Sequence, residues 1–165
     1  MLAARHGGSL KLDKQARSLA CDISIDGRRV VLAAPQTFMN LSGEAVAQLV
    51  PRHGIVTPSQ IIVLHDELDL PVGTLRIKAG GGAAGNNGIR SIDAHLGTPD
   101  YARVRIGVGR PPGANAGKAH VLKRPSKVER TELDVSVELT ADAVETYLVH
   151  GLAETMNRHN RRSRD

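Results

Sequence analysis

Residues 61–67 read IIVLHDE, an apolar run rich in β-branched side chains that ends abruptly in acids. A run of this length and type reads as a buried strand, and a sheet holding such a strand needs elements to cover it. The flanking sequence supplies them. Upstream, SLACDISIDGRRVVLAAP reads as two strands about an Asp26-Gly27 turn, the strongest short-range hairpin signal. LSGEAVAQLV reads as a short helix capped by Ser42 or Asn40. Downstream, TLRIKA alternates Leu75 and Ile77 with Arg76 and Lys78, the pattern of a half-exposed strand. The glycine-rich loop GGGAAGNNG then opens a short helix, IRSIDAHL. ARVRIGVG is a further strand, with Arg103 and Arg105 expected outward and Val104 and Ile106 inward. A mobile basic loop, RPPGANAGK, precedes a long helix over about 126–149, with Ser126 as N-cap and a stop near Gly151. Strands alternating with helices predict an α/β fold, a sheet sandwiched by helices.

The chain has 165 residues, the size of one such domain. We expect that domain to span residues 1–157, followed by a basic tail over 158–165. No apolar run reaches the length of a membrane span, and the start MLAARHGG is no signal peptide. The single cysteine, Cys21, excludes an internal disulfide framework and a multi-cysteine zinc site, so a cytoplasmic protein is expected. The net charge of +5 is unevenly spread. Residues 158–165 hold four Arg and one Asp, whereas 101–128 contains seven Lys or Arg and no acid. Residues 70–92 are also acid-free, with Arg76, Lys78 and Arg90. Two such segments folded together would make a basic face, and such a face usually meets phosphates. Aromatics are scarce, which argues against reading single strands by stacking successive bases.

The glycine loop invites a first hypothesis. Gly80-x-Gly82-x-x-Gly85 lies between a strand and a helix, as in a dinucleotide-binding fingerprint. Against it, the preceding strand alternates, the loop lies mid-chain, and Gly81 and Gly88 have no place in that fingerprint. The loop makes more sense with its neighbours: PQTFMNLSGEAV (35–46), HDELDLPVGTLRIKAGGGAAGNNGIRSI (65–92), YARVRIGVGRP (101–111) and GLAETMNR (151–158). In this combination and order the chain resembles the bacterial peptidyl-tRNA hydrolases, over about residues 2–160.

That resemblance implies a single three-layer α/β domain with a mixed twisted sheet and helices on both faces. It implies hydrolysis of the ester bond between peptide and tRNA, with no cofactor and no metal, by a protein expected to be a monomer. A His-Asp pair activates water, because water is a poor nucleophile at neutral pH and an oriented imidazole must take its proton. Asp66 matches the orienting aspartate. Asn40 and Asn87 match asparagines that hold the substrate, since an amide donates and accepts together, and Met39 matches an apolar pocket wall. Without the resemblance, Met39 reads as core filler and Asn40 as a helix cap. Gly80, Gly81, Gly82, Gly85 and Gly88 let backbone approach the substrate at the tRNA 3′ end and supply positive φ. Lys78 and Arg105 match the cations that grip the tRNA 5′ phosphate.

Two departures matter. The family usually carries G-G-H-N-G in the glycine loop, where this chain has Asn86 in place of the histidine. The family also begins with a strand, a G-x-x-N-P-G loop and a T-R-H-N motif bearing the catalytic histidine. None of these occurs here, and LAAR aligns with the helix that follows them. We therefore expect a first strand, its loop and half a helix, roughly 25 residues, to lie before Met1. His6 stands too close in sequence to Asn40 to match that motif, and His65 is a poor substitute because adjacent strand residues such as His65 and Asp66 face opposite ways. The alternative is a catalytically impaired relative retained as an RNA-binding module.

Overall fold

The computed structural model describes residues 1–111, 113 and 117–160. These fold as α/β in two compact units, residues 1–61 with 79–102 and residues 62–78 with 103–165.

In the first unit, a short α1 (Leu2–Arg5) leads into an antiparallel sheet ordered β1-β2-β3. Its strands are β1 (Lys11–Asp13), β2 (Ser18–Ile25) and β3 (Arg28–Pro35). The register runs from Ser18 opposite Pro35 to Ile25 opposite Arg28, leaving Asp26 and Gly27 as a two-residue turn. Both have positive φ, +50° and +73°, which is what a hairpin of this tightness and twist demands. Strand β1 has no counterpart in the sequence reading. It is three residues long, too short to show a period.

A 3₁₀ turn (Met39–Leu41) runs directly into α2 (Ser42–Arg52), which packs against α3 (Asn87–Leu96). The cap expected at α2 differs from the sequence reading. Leu41 is the N-cap residue and gives no side-chain bond, and Ser42 donates instead to the Met39 carbonyl at 2.8 Å. The 3₁₀ turn supplies the hydrogen bonding that a side-chain cap would otherwise provide. Helix α3 buries Gly88, Ile89, Ser91 and Ile92, the i, i+3, i+4 stripe of a helix with one packed face.

The second unit holds a sheet ordered β4-β6-β5, with β4 (Ile62–Glu67), β5 (Leu75–Ala79) and β6 (Ala102–Gly107). Bonds from Ala102 N–H to Ile61 and from Val108 N–H to Glu67 rise together, so β4 and β6 are parallel. Bonds from Gly107 N–H to Thr74 and from Gly80 N–H to Tyr101 run in opposite senses, so β5 is antiparallel to β6. The sheet is mixed, as expected. One face carries Leu75, Ile77 and Val104 onto Ala143 of α5 (Lys127–His159), with Ile62, Ile106, Leu139 and Leu152 around them.

Ser126 caps α5 through a capping box with Glu129, as its sequence requires. Gly151 interrupts that helix at φ +79°, and the chain resumes helical geometry to His159. Of the expected tail, Arg158 and His159 therefore close a helix, and residues 161–165 lie outside the described residues. So does part of the basic loop at 112 and 114–116, beyond which α4 (Gly117–Leu122) forms a short helix that was not foreseen. No described helix is long and apolar enough to cross a membrane.

Candidate active site and phosphate site

In the first unit the structure brings Met39, Asn40 and the start of α3 together. The 3₁₀ turn contacts α3, and a Cβ added at Gly88 would stand 2.6 Å from the Met39 sulfur. A side chain at that position would displace the thioether from the helix. Phe38 and Met39 nevertheless remain 80% and 59% exposed, and Asn40 and Asn87 are exposed beside them. An apolar pair this open is not core filler. Two apolar side chains next to two free amides make a surface suited to a peptide, whose side chains want apolar contact and whose backbone wants a donor and an acceptor.

Asn86 has a defined task here. It is the N-cap of α3, its Oδ1 accepting the Ile89 N–H at 3.0 Å. Asn ranks among the best residues at such a position. Among the loop glycines, Gly80, Gly81 and Gly85 have positive φ. Gly82 and Gly88 do not, so positive φ is no reason for glycine at those two. At Gly88 the reason is close approach, and at Gly82 the structure offers none.

The second unit assembles the cations. With β5 and β6 in the register set by their end bonds, Lys78 lies opposite Arg103 and Arg76 opposite Arg105. Directly opposed residues share a face, so four basic residues lie on the face turned from the Leu75–Val104 core. The expectation that Arg103 points to solvent is corrected: it is 1% exposed. Burial on both faces defeats the alternation argument, which holds only where one face meets water. Lys78 is held below its ordinary pKa, first by burial and then by the charges of Arg105 and Arg103, with Glu67 opposing. A partly buried cluster that disfavours its own positive charge gains from an anion placed among its members.

Two residues that complete this face escaped the sequence reading. Glu67, 5% exposed at the end of β4, accepts from Arg105 Nε at 3.0 Å and makes an ion pair with its Nη2 at 3.0 Å. Its signal was present in the acids that end IIVLHDE, but nothing in a single sequence pairs position 67 with 105. Asn160 makes a two-point contact with the open edge of β5. It accepts the Ile77 N–H at 2.7 Å and donates to the Ile77 carbonyl at 2.9 Å. That contact satisfies an edge-strand peptide next to Lys78.

Asp66 lies one residue before Glu67 on β4, half-buried, and among the described residues no donor bonds its carboxylate. Alternation along β4 puts His65 on the face of Glu67 and Asp66 on the other. His65 Nδ1 donates to the Asp66 carbonyl at 2.7 Å, while its buried Nε2 lacks a hydrogen-bond partner among the described residues. Burial pushes the His65 pKa below 6.5, against the Asp66 carbonyl bond and the charges of Glu67 and Asp66, with Arg103 adding to the depression. The unfolded chain then binds a proton that the folded chain refuses. Stability should fall as pH drops below about 6.5 and level off beneath the folded value. Urea unfolding at steps from pH 7.5 to 5 should show this slope in the native chain and a flatter one in His65→Gln. Equal slopes would remove His65 as the cause. No group of three or more His, Cys, Asp or Glu among the described residues is arranged to hold a metal ion.

The chain is similar to known proteins over nearly its whole length. A family model described as peptidyl-tRNA hydrolase matches residues 1–165. The chain is 50% identical over 158 residues to the peptidyl-tRNA hydrolase of Rhodococcus opacus, covering 96% of this chain and 83% of that one. It is 47% identical over 157 residues to that of Nocardia farcinica, covering 95% and 81%. The crystal structure of peptidyl-tRNA hydrolase from Acinetobacter baumannii superposes with a TM-score of 0.91 at 33% identity, over 97% of this chain and 81% of that one.

Proposed function

We infer the function from one premise: the chain belongs to the peptidyl-tRNA hydrolase family. It hydrolyses the ester bond between peptide and tRNA in peptidyl-tRNA, recycling tRNA from stalled or aborted translation. In this reading Asp66 orients the imidazole that takes a proton from water and stabilises its charged form. Asn40 and Asn87 hold the peptide and the 3′ end through their amides, and Met39 walls the apolar part. Lys78 and Arg105 hold the 5′ phosphate. The protein works as a cytoplasmic monomer. The non-catalytic RNA-binding alternative is not favoured.

The observation that carries the phosphate assignment is the adjacency of β5 and β6, which sets Lys78 and Arg105 on one sheet face, with Glu67 the carboxylate paired to Arg105. Its test is hydrolysis and binding of an N-blocked aminoacyl-tRNA at several salt concentrations. Arg105→Ala should weaken binding about tenfold and reduce the salt slope by about one. An unchanged slope removes Arg105 from the phosphate contact.

A further inference from the structure

Glu67 poses a question that the charge pattern alone does not answer. A buried carboxylate beside a phosphate-binding arginine lowers the positive potential that the phosphate meets, and so weakens attraction at long range. Its geometry offers a compensating gain. One oxygen, Oε2, accepts from Nε of Arg105 and lies in ion-pair contact with its Nη2, both at 3.0 Å. The other, Oε1, accepts the Asp69 N–H at 3.1 Å. The carboxylate is thus fixed to its own backbone on one side and to the guanidinium on the other. A guanidinium has five donors in a planar fork. Glu67 occupies the Nε–Nη2 edge and so fixes the plane and rotation of the rest.

Resting on the phosphate role of Lys78 and Arg105, we propose that Glu67 is a positioning residue for that contact. Its buried carboxylate clamps one edge of the Arg105 guanidinium so that the other edge meets the terminal phosphate in one orientation. Lys78 is a point charge on a flexible stem and attracts any phosphate within reach. An oriented fork discriminates, because two parallel bonds form only with a terminal phosphate presented at one angle. Glu67 thereby trades general affinity for recognition of the chain end.

Glutamine has the shape of glutamate but cannot reproduce this arrangement. Its single carbonyl can accept from Arg105 or from the Asp69 N–H, and its NH₂ then opposes a donor on the other side. Glu67→Gln also raises the charge of the face by one. The two effects act oppositely on two measurable quantities, which separates positioning from general damage to the fold.

The experiment measures binding of the full chain to an RNA hairpin with the shape of a tRNA acceptor stem, bearing either a 5′ phosphate or a 5′ hydroxyl. The native chain should prefer the phosphorylated hairpin by about tenfold. Glu67→Gln should lose most of that preference while binding the hydroxyl hairpin as well as before or better. Adding Glu67→Gln to Arg105→Ala should change the preference no further. If Arg105→Ala abolishes the preference and Glu67→Gln keeps it, the positioning role is overturned and the phosphate assignment survives. If Arg105→Ala itself keeps the preference, the phosphate assignment fails. Equal weakening toward both hairpins would make Glu67 merely structural. Should circular dichroism show Glu67→Gln unfolded, Arg105→Lys serves in its place. It keeps the charge without the two-point contact and should lose the preference, and its retention would overturn the proposal.

Discussion

Hydrolysis of N-blocked aminoacyl-tRNA is expected to slow about 10³–10⁴-fold on Asp66→Asn, because an amide holds the imidazole that Asp66 orients in the wrong tautomer. Four of the seven histidines are engaged elsewhere. His65 is committed through Nδ1 to the Asp66 carbonyl and lies across the strand from the Asp66 side chain. His95 is bonded to the Ser91 carbonyl, His120 to the Val108 carbonyl, and His53 to Arg29. None of these four is held by a carboxylate in the way a general base requires. A rate unchanged by Asp66→Asn would remove Asp66 from the orienting role.

The second large effect is on stability. Gly43→Ala should lower the unfolding free energy by about 3 kcal/mol, or roughly 6–12 °C in melting temperature. Helices α2 and α3 approach so closely at Gly43 that an added Cβ would fall on the Ser91 carbonyl and on His95 Nδ1. The Gly43 N–H donates to Ser91 Oγ at 2.9 Å, which binds the same two turns together. The carbonyl is helix backbone and cannot swing aside as a long side chain would. Because α2 begins where the Met39–Asn40 turn ends, the change should also weaken binding of the peptide end, measured with a short N-blocked aminoacyl-nucleotide. A melt unchanged within about 2 °C would show that α2 can slide without cost.

The elements with a clear local period were readable without a structure. The Asp26-Gly27 hairpin, the alternating β5 and the Ser126-capped helix each carry their signal in neighbouring residues. The family motifs then carried Asp66, Met39, Asn40, Asn87, Lys78 and Arg105 as candidates. What stayed hidden depends on partners distant in sequence. Glu67 gains its meaning from Arg105, 38 positions on, and Asn160 from Ile77, 83 positions back. Arg103 was misplaced because alternation shows which residues share a face and not whether that face meets water. The N-cap of α2 was misread for a different reason. A 3₁₀ turn had already met the hydrogen bonds that Ser42 or Asn40 was expected to meet.

The first unit is discontinuous: its helix α3 belongs to residues 79–102, reached only after the chain has made β4 and β5 of the other unit. Synthesis therefore delivers α2 well before its partner. With Arg52 ending α2 and Asn87 opening α3, translation at about 5–20 residues per second leaves α2 waiting some 2–7 s. For that interval the surface that will enclose Gly43 and Ala45 has nothing to close on. An enzyme that rescues interrupted translation is thus itself exposed to interruption. A nascent chain halted between residues 52 and 87 would carry an unpaired helix.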